Sequence, residues 1–505
     1  MKTRHFLHES AIFINIRMNN IILFIKKYWL LILLVAQPLL DIFAFFTASD
    51  SGTAAGYIRL AVMLLLAIYV LLKRAGGKRT IIALAVIAAV FGAHVLNCIR
   101  VGYASPMQDI SYAARVAYMP VMAVCFCALM KDEVANRQVF TGAVINFAII
   151  AVVLIISYLT GSYTPTYGEG GGLGTSGWVI MDNRCCHSDI LSSLAVLACY
   201  AGIASKRLPA RIILPVVVFI AMVTNGTQAC YLTLLAVMLL FPVFILLRAA
   251  ILREKPAKEQ VISVALMLAL FAGAIIIYPY TPRCKMEIIK NSTYNDMQER
   301  FEAKLQTMGY NAPEVTPEDI QSDPELYAAY KDYYARFLYG EIPAFIEGFD
   351  FDRILKVYDY TYQGGILGDN RLMKQKYAAL LSEDCDGLTH VTGFEIATIG
   401  PDMSIDMEND WYAIFYYYGY LGLAFYVLGA LYLFARIIRL LASAFKSSLN
   451  TENFALLIGF CLLLGLAYFS GAVLRRPNAS IYIALFIGMI YNNTMLKAKK
   501  EVTGA

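Results

Sequence analysis

The sequence predicts an all-α polytopic membrane protein of about twelve transmembrane helices, with a large extracytoplasmic helical loop between spans nine and ten. Three observations lead there. Apolar runs long enough to cross the roughly 30 Å of a bilayer's hydrocarbon core recur along most of the chain. Charged residues make up only 16% of it, against about 25% in soluble domains. One long stretch, 280–410, breaks the apolar pattern with dense charge and helix-start signals.

The apolar runs fall near 29–47, 57–72, 80–98, 113–130, 138–159, 188–205, 209–224, 228–248, 260–279, 411–435, 453–474 and 478–496. The seventh, RIILPVVVFIAMVT, is short and contains Pro215. The chain thus divides into a cytoplasmic N-terminal segment (1–28), spans one to nine (29–279), the loop (280–410), spans ten to twelve (411–496) and a cytoplasmic tail (497–505). The first run is long and lacks a small-residue exit site, so it does not read as a cleavable signal. Residues 1–17 precede Met18, after which MNNIILFIKKYWLLILL is a natural basic lead into a span, so Met18 is an alternative expected start.

Positive charge sets the orientation, because short cytoplasmic loops carry an excess of Lys and Arg. Lys26 and Lys27, the 73–79 and 131–137 clusters, Lys206/Arg207/Arg211, the 248–258 cluster, Arg436/Arg439/Lys446 and Lys497/Lys499/Lys500 all share one side if both termini are cytoplasmic. A miscount by one helix would scramble this alternation. The net charge of +5 is therefore an orientation signal in a plasma-membrane protein and no footprint of nucleic acid. Trp29, Trp178 and Trp411 all fall near an expected interface.

Within the loop, Thr316-Pro317-Glu318-Asp319 and Asp323-Pro324-Glu325 each place a capping side chain before a proline at the first helical position. Asp369 or Asn370 similarly opens a helix through RLMKQKYAALL, so the loop reads as a small folded helical cap. The ten cysteines show no CxxC pairs at metal-ligand spacing, and no metal or cofactor is predicted. Those inside apolar runs, Cys98 among them, read as small hydrophobes. A Cys284–Cys385 disulfide stays open, because sequence does not fix the geometry it needs.

Ionisable residues inside spans are costly and tend to mark function. Here Asp41, Arg59, His94, Arg115, His187, Asp189, Arg475 and Arg476 all fall at the outer ends, while the inner halves carry almost no charge. Snorkelling to the interface explains any one of them. It does not explain why one face is favoured, and the asymmetry predicts a polar cavity open to the outside and closed to the cytoplasm. No internal repeat of the inverted-repeat transporter kind is present.

After the loop comes Glu408-Asn409-Asp410-WYAIFYYY-Gly419-Tyr420-Leu421-Gly422. This resembles the signature of bacterial O-antigen ligases and related polysaccharide polymerases, in which His followed by Asn, Ser or Gln precedes nine residues, then Gly, two residues, and Gly, Thr or Tyr. Asn409, the spacing, Gly419 and Gly422 fit; Glu408 stands where the family has His. Before the eighth span, Thr224-Asn225-Gly226-Thr227-Gln228-Ala229 resembles the family's Gly-Ser/Thr-Arg turn, with Gln228 in place of Arg.

The resemblance implies transfer of a glycan from a polyprenyl (undecaprenyl) diphosphate donor to a hydroxyl of a glycan, lipid or cell-wall acceptor, at the outer face and without metal or nucleotide sugar. It also implies an essential arginine in the loop. Arg371 is the candidate by its position upstream of Gly393-Phe394 and the signature, with Arg336 and Arg353 as rivals; an Arg fork grips phosphate at two points. At a helix start its backbone N–H groups would add to the pull on an anion. Glu408 is then the expected acceptor-orienting base, with Asp410 as the alternative. Arg115 or Arg475 is expected to compensate for the charge missing at Gln228, and Asn409 and His187 complete the expected substrate-binding set. The alternatives are a lipid-linked oligosaccharide transporter, which would need polar residues in the inner halves, and a non-catalytic relative. A different polyprenyl-phosphate glycosyltransferase class would need acidic residues in the first outer loop, where only Asp50 lies beyond the span.

Overall fold

The computed structural model describes residue 24 and residues 26–47, 52–168, 172–179, 184–339, 342–396 and 407–503. Met18 and Asp50 lie outside them. Among the described residues, twelve helices are long and apolar enough to cross a membrane, and they coincide with the expected runs. They include α1 (Lys26–Phe46), α2 (Gly52–Leu72), α3 (Lys78–Val101), α4 (Pro106–Leu129), α5 (Glu133–Leu159) and α6 (Arg184–Ala204). Then come α7 (Leu208–Asn225), α8 (Gln228–Leu252) and α9 (Lys258–Ile277). After the intervening segment follow α18 (Asp410–Ser443), α20 (Thr451–Phe469) and α21 (Pro477–Thr503), with the short α19 (Phe445–Ser448) between the first two. Among the described residues there is no strand, only an isolated bridge between Tyr167 and Leu173.

Two helices form the axis of the bundle. The apolar stretches of α6 and α21 are 89% and 72% buried inside the protein, against 17% for α2 and α18. Small residues explain the position of α6: its RCCHSDILSSLAVLACYAGIA lets neighbouring backbones approach closely, as bilayer packing requires. The most extensive helix pairing joins α21 to α4, and Gly488 faces Phe126 there. The short α7 stands as a span of 18 residues, with Pro215 inside it.

Between α9 and α18 the chain folds into α10 (Pro282–Thr307), α11 (Pro317–Ser322), α12 (Pro324–Leu338), α13 (Pro343–Gly348), α14 (Phe351–Val357), α15 (Gly364–Leu367), α16 (Asn370–Glu383) and α17 (Gly387–Thr392). The expected caps form. Thr316 and Asp319 make a reciprocal capping box, and Asp323 Oδ1 accepts from Glu325 N at 2.8 Å. The segment has its own aromatic core: Phe301 stacks on Tyr333 at 4.0 Å, and Tyr334 donates its hydroxyl to Thr361 O at 2.6 Å. Cys284 and Cys385 are both free thiols, so the open disulfide does not form.

Two glycines seat this segment on the bundle. Gly419 has φ +62° inside α18, where the helix kinks. A Cβ there would lie 2.4 Å from the Val391 backbone, and one on Gly393 (φ +83°) would lie 2.2 Å from the Tyr417 backbone. Phe394 N donates to Tyr416 O at 3.2 Å across the same contact. Only glycine accepts positive φ without steric cost and also permits such an approach, which gives Gly419 of the signature a packing reason.

Among the described residues, several of the polar groups expected at one end are engaged with one another. The polar groups there are sorted into separate sets, because each pairs across helices. Arg59 binds Asp41 at 2.7 Å and Gln37 at 3.0 Å; His94 binds Asp109 at 3.0 Å; Arg475 binds Asp410 at 2.7 Å. A polar cavity of about 410 Å³ opens at the opposite end of the bundle, lined by Glu133, Asn136, Arg137, Tyr200, Glu452 and Asn493 among others.

Candidate active site

The site is built from Glu408, which precedes the Asn409 cap of α18, and from one face of α16. Asp369 caps α16, accepting from Arg371 N at 3.0 Å and Leu372 N at 3.3 Å. These are N–H groups that the sequence reading offers to an anion. They are already taken, so the pull of Arg371 on a ligand comes from its side chain. Three residues on, Lys374 lies on the same helical face. Both reach Glu408: Arg371 Nε lies 3.5 Å from Oε2 and Lys374 Nζ 3.4 Å from Oε1.

These contacts are loose. Glu408 and Arg371 are each about one-third exposed. An exposed pair such as Arg371–Glu408 contributes about 0–1 kcal/mol, whereas the Lys374 ammonium is largely buried against Glu408. The Arg371 Nε–H also finds no hydrogen-bond partner among the described residues. Two cations therefore face one carboxylate, with donor capacity left over. Beneath them lies the start of α6. Glu408, Asp189, Arg476 and Arg371 all lie within electrostatic range of Cys185, and Asp189 accepts a 2.5 Å hydrogen bond from Ser470.

Asp410 stands in a different environment. Its Oδ1 accepts from Arg475 Nε and its Oδ2 from Leu474 N, both at 2.7 Å. Arg475 also donates to Tyr112 Oη and Met407 O. Both charged side chains are buried, at 0% and 2% exposure. The pair clamps the start of α18 to the link before α21. Asn409 caps α18 by accepting from Tyr412 N at 3.1 Å.

The structure thus brings Glu408 and Arg371 together and sets Asp410 and Arg475 against each other. Gln228 opens α8, whose first turn rests on α6 through Cys230 and Ser188. His187 lines a small separate cavity with Asp41, Trp178 and Tyr482. Arg115 is half-buried on α4. The rival arginines are engaged elsewhere: Arg336 with Asp332 at 2.8 Å, Arg353 with Glu383 and Asp384 at 3.1 and 3.2 Å. The Asp384 and Glu383 carboxylates hold the Arg353 guanidinium protonated even more firmly than usual. Lys374 was missed by the sequence reading, although its i,i+3 spacing from Arg371 was a visible signal.

Next to this polar cluster the bundle holds a larger apolar cavity of about 530 Å³ between α3, α4, α18, α20 and α21. Trp411 and Leu474 line one part of it and Gly76, Arg79 and Tyr491 another. Trp411 follows Asp410 directly, and Leu474 is the residue whose N–H Asp410 accepts, so the cavity adjoins the Asp410–Arg475 pair.

No curated protein resembles the chain closely enough to match it. The family described as O-antigen ligase like membrane protein matches residues 24–496, nearly the whole chain. This chain is therefore a multi-pass membrane protein that belongs to the O-antigen ligase-like family.

Proposed function

We propose that the protein is a glycosyltransferase of cell-surface polysaccharide biosynthesis, moving a glycan from a polyprenyl diphosphate donor to an acceptor hydroxyl at the extracytoplasmic face. The observation that carries this reading is the convergence of Arg371 and Lys374 on Glu408, at 3.5 and 3.4 Å, at the foot of the loop. A partly exposed Arg371 beside a buried Lys374 suits a diphosphate, because exchanging the partly exposed Glu408 carboxylate for phosphate oxygens keeps both cations paired. Arg371 would bind two oxygens with its planar fork, and Lys374 would add a point charge. The apolar cavity beginning near Trp411 suits the donor's hydrocarbon tail.

In this scheme Glu408, released from its cations by the donor, faces the acceptor hydroxyl. It orients that hydroxyl and takes its proton as the bond from sugar to diphosphate breaks. Fixed positive charge on the leaving diphosphate supplies the main stabilisation, on the order of 3–4 kcal/mol for one well-placed donor. Asp410 and Arg475 act as the clamp that holds Glu408 in register, since their charges are spent on one another.

The test is a transfer assay with purified protein and a lipid diphosphate donor. Glu408→Gln keeps the shape and removes the basicity, so it abolishes turnover while donor binding persists. Wild-type turnover in Glu408→Gln would leave the signature segment a structural element.

A further inference from the structure

His94 and Cys98 lie four residues apart on α3 and so share a face. Asp109, in the first turn of α4, completes a buried group whose ligand atoms all lie within 4.8 Å of one another. His94 Nδ1 lies 3.0 Å from Thr392 O. A carbonyl only accepts, so Nδ1 carries the hydrogen. That leaves Nε2 facing Asp109 Oδ2 at 3.0 Å. Something positive must sit between a ring nitrogen and a carboxylate held this close.

A proton would need only these two groups. The site has a third, the Cys98 sulfur, 3.7 Å from Nε2. Tetrahedral zinc with bonds of about 2.0 Å to N and O and 2.3 Å to S sets N and O about 3.3 Å apart and N and S about 3.5 Å apart. The observed 3.0 and 3.7 Å bracket those values. The sulfur also lies 3.9 Å from Nδ1, so a rotation of Cys98 about its Cα–Cβ bond is needed to close the shell. The surroundings suit a metal ion. The other histidine nitrogen is fixed by a backbone carbonyl, and the other carboxylate oxygen accepts from Ile396 N at 3.2 Å, as outer-shell partners of metal ligands do. Zn²⁺ with a thiolate, a carboxylate and a neutral imidazole is electrically neutral, which suits burial.

We propose that His94, Cys98 and Asp109 bind a zinc ion that fastens the 392–396 stretch of the loop to α3 and α4. The Tyr103 hydroxyl, 3.0 Å from Asp109 Oδ2, is placed to take or hydrogen-bond the fourth position. The role is structural: Thr392 and Ile396 flank Gly393, the residue that packs on α18.

The experiment is elemental analysis of full-length protein purified in detergent without chelator, paired with cobalt substitution. The expected result is about one zinc per chain, and a thiolate-to-cobalt charge-transfer band after exchange. Cys98→Ser should lose that band and His94→Ala should lose the metal. Because His94→Ala could fail to fold, the wild-type zinc content and cobalt spectrum decide by themselves. Metal-free wild-type protein that gives no cobalt–thiolate band overturns the proposal and leaves a proton between His94 and Asp109. A band that persists in Cys98→Ser overturns it equally.

Discussion

Arg475 donates to Asp410 at 2.7 Å in a pair that water does not reach. Removing one member of a buried pair leaves the other charge uncompensated, at a cost of about 3–5 kcal/mol. Asp410→Asn and Arg475→Met should therefore each lower the melting temperature of the purified protein sharply. Together they should cost clearly less than the sum of the two. Additive losses in a double-mutant cycle would show that the two side chains are not coupled.

The role given to Arg371 separates charge from shape. Arg371→Lys keeps the charge and loses the planar fork, so transfer should fall by at least tenfold, about 1.4 kcal/mol in transition-state terms. Lys374→Arg, which retains its point charge, should be tolerated better. Comparable kcat/KM for Arg371→Lys and wild type would move the proposed diphosphate site away from α16.

Topology is open to a direct check. Ser322 ends α11 and is exposed. A cysteine placed there, in a background lacking Cys284 and Cys385, should react with a membrane-impermeant maleimide in intact cells. Labelling only after lysis would reverse the orientation read from the basic loops and, with it, the proposed side of the reaction.

One contact makes a pH prediction. Asp386 accepts from Thr389 N at 2.8 Å and from Arg100 at 2.5 Å. The backbone hydrogen bond first, and then Arg100, lower its carboxyl from 3.8 to about 2. The folded state therefore binds this proton less readily than the unfolded state. The contribution is complete above the ordinary carboxylate value and is lost as pH falls through the lowered one. The melting-temperature gap between wild type and Asp386→Asn should stay constant near neutrality and narrow as pH drops from about 4 toward 2. A gap that widens on acidification would contradict the assignment.

What could be read in advance followed from local rules. Hydropathy located the spans because lipid imposes it residue by residue, and Thr316, Asp323 and Asp369 announced their helices because a cap is a contact between near neighbours. The meeting of Arg371 with Glu408 was reachable only through the family signature, since nothing in the intervening chain encodes their approach. Charge counting does not tell which charges pair when the partners sit on different helices. Arg59 and Asp41, or Arg475 and Asp410, look like lining for one shared cavity until each pair is seen closed on itself. Lys374 lay within reach of the local rule that placed Arg371 at a helix start.

The seat made by Gly393 and Gly419 bears on the order of assembly. The 280–407 segment leaves the ribosome before the helix it rests on, so its aromatic core can form early while its docking surface does not yet exist. Docking must wait until the tenth span has been inserted and has bent at Gly419. A truncation ending just before Trp411 would thus release a segment able to fold upon itself but with nowhere to land, and Glu408 would have no fixed address.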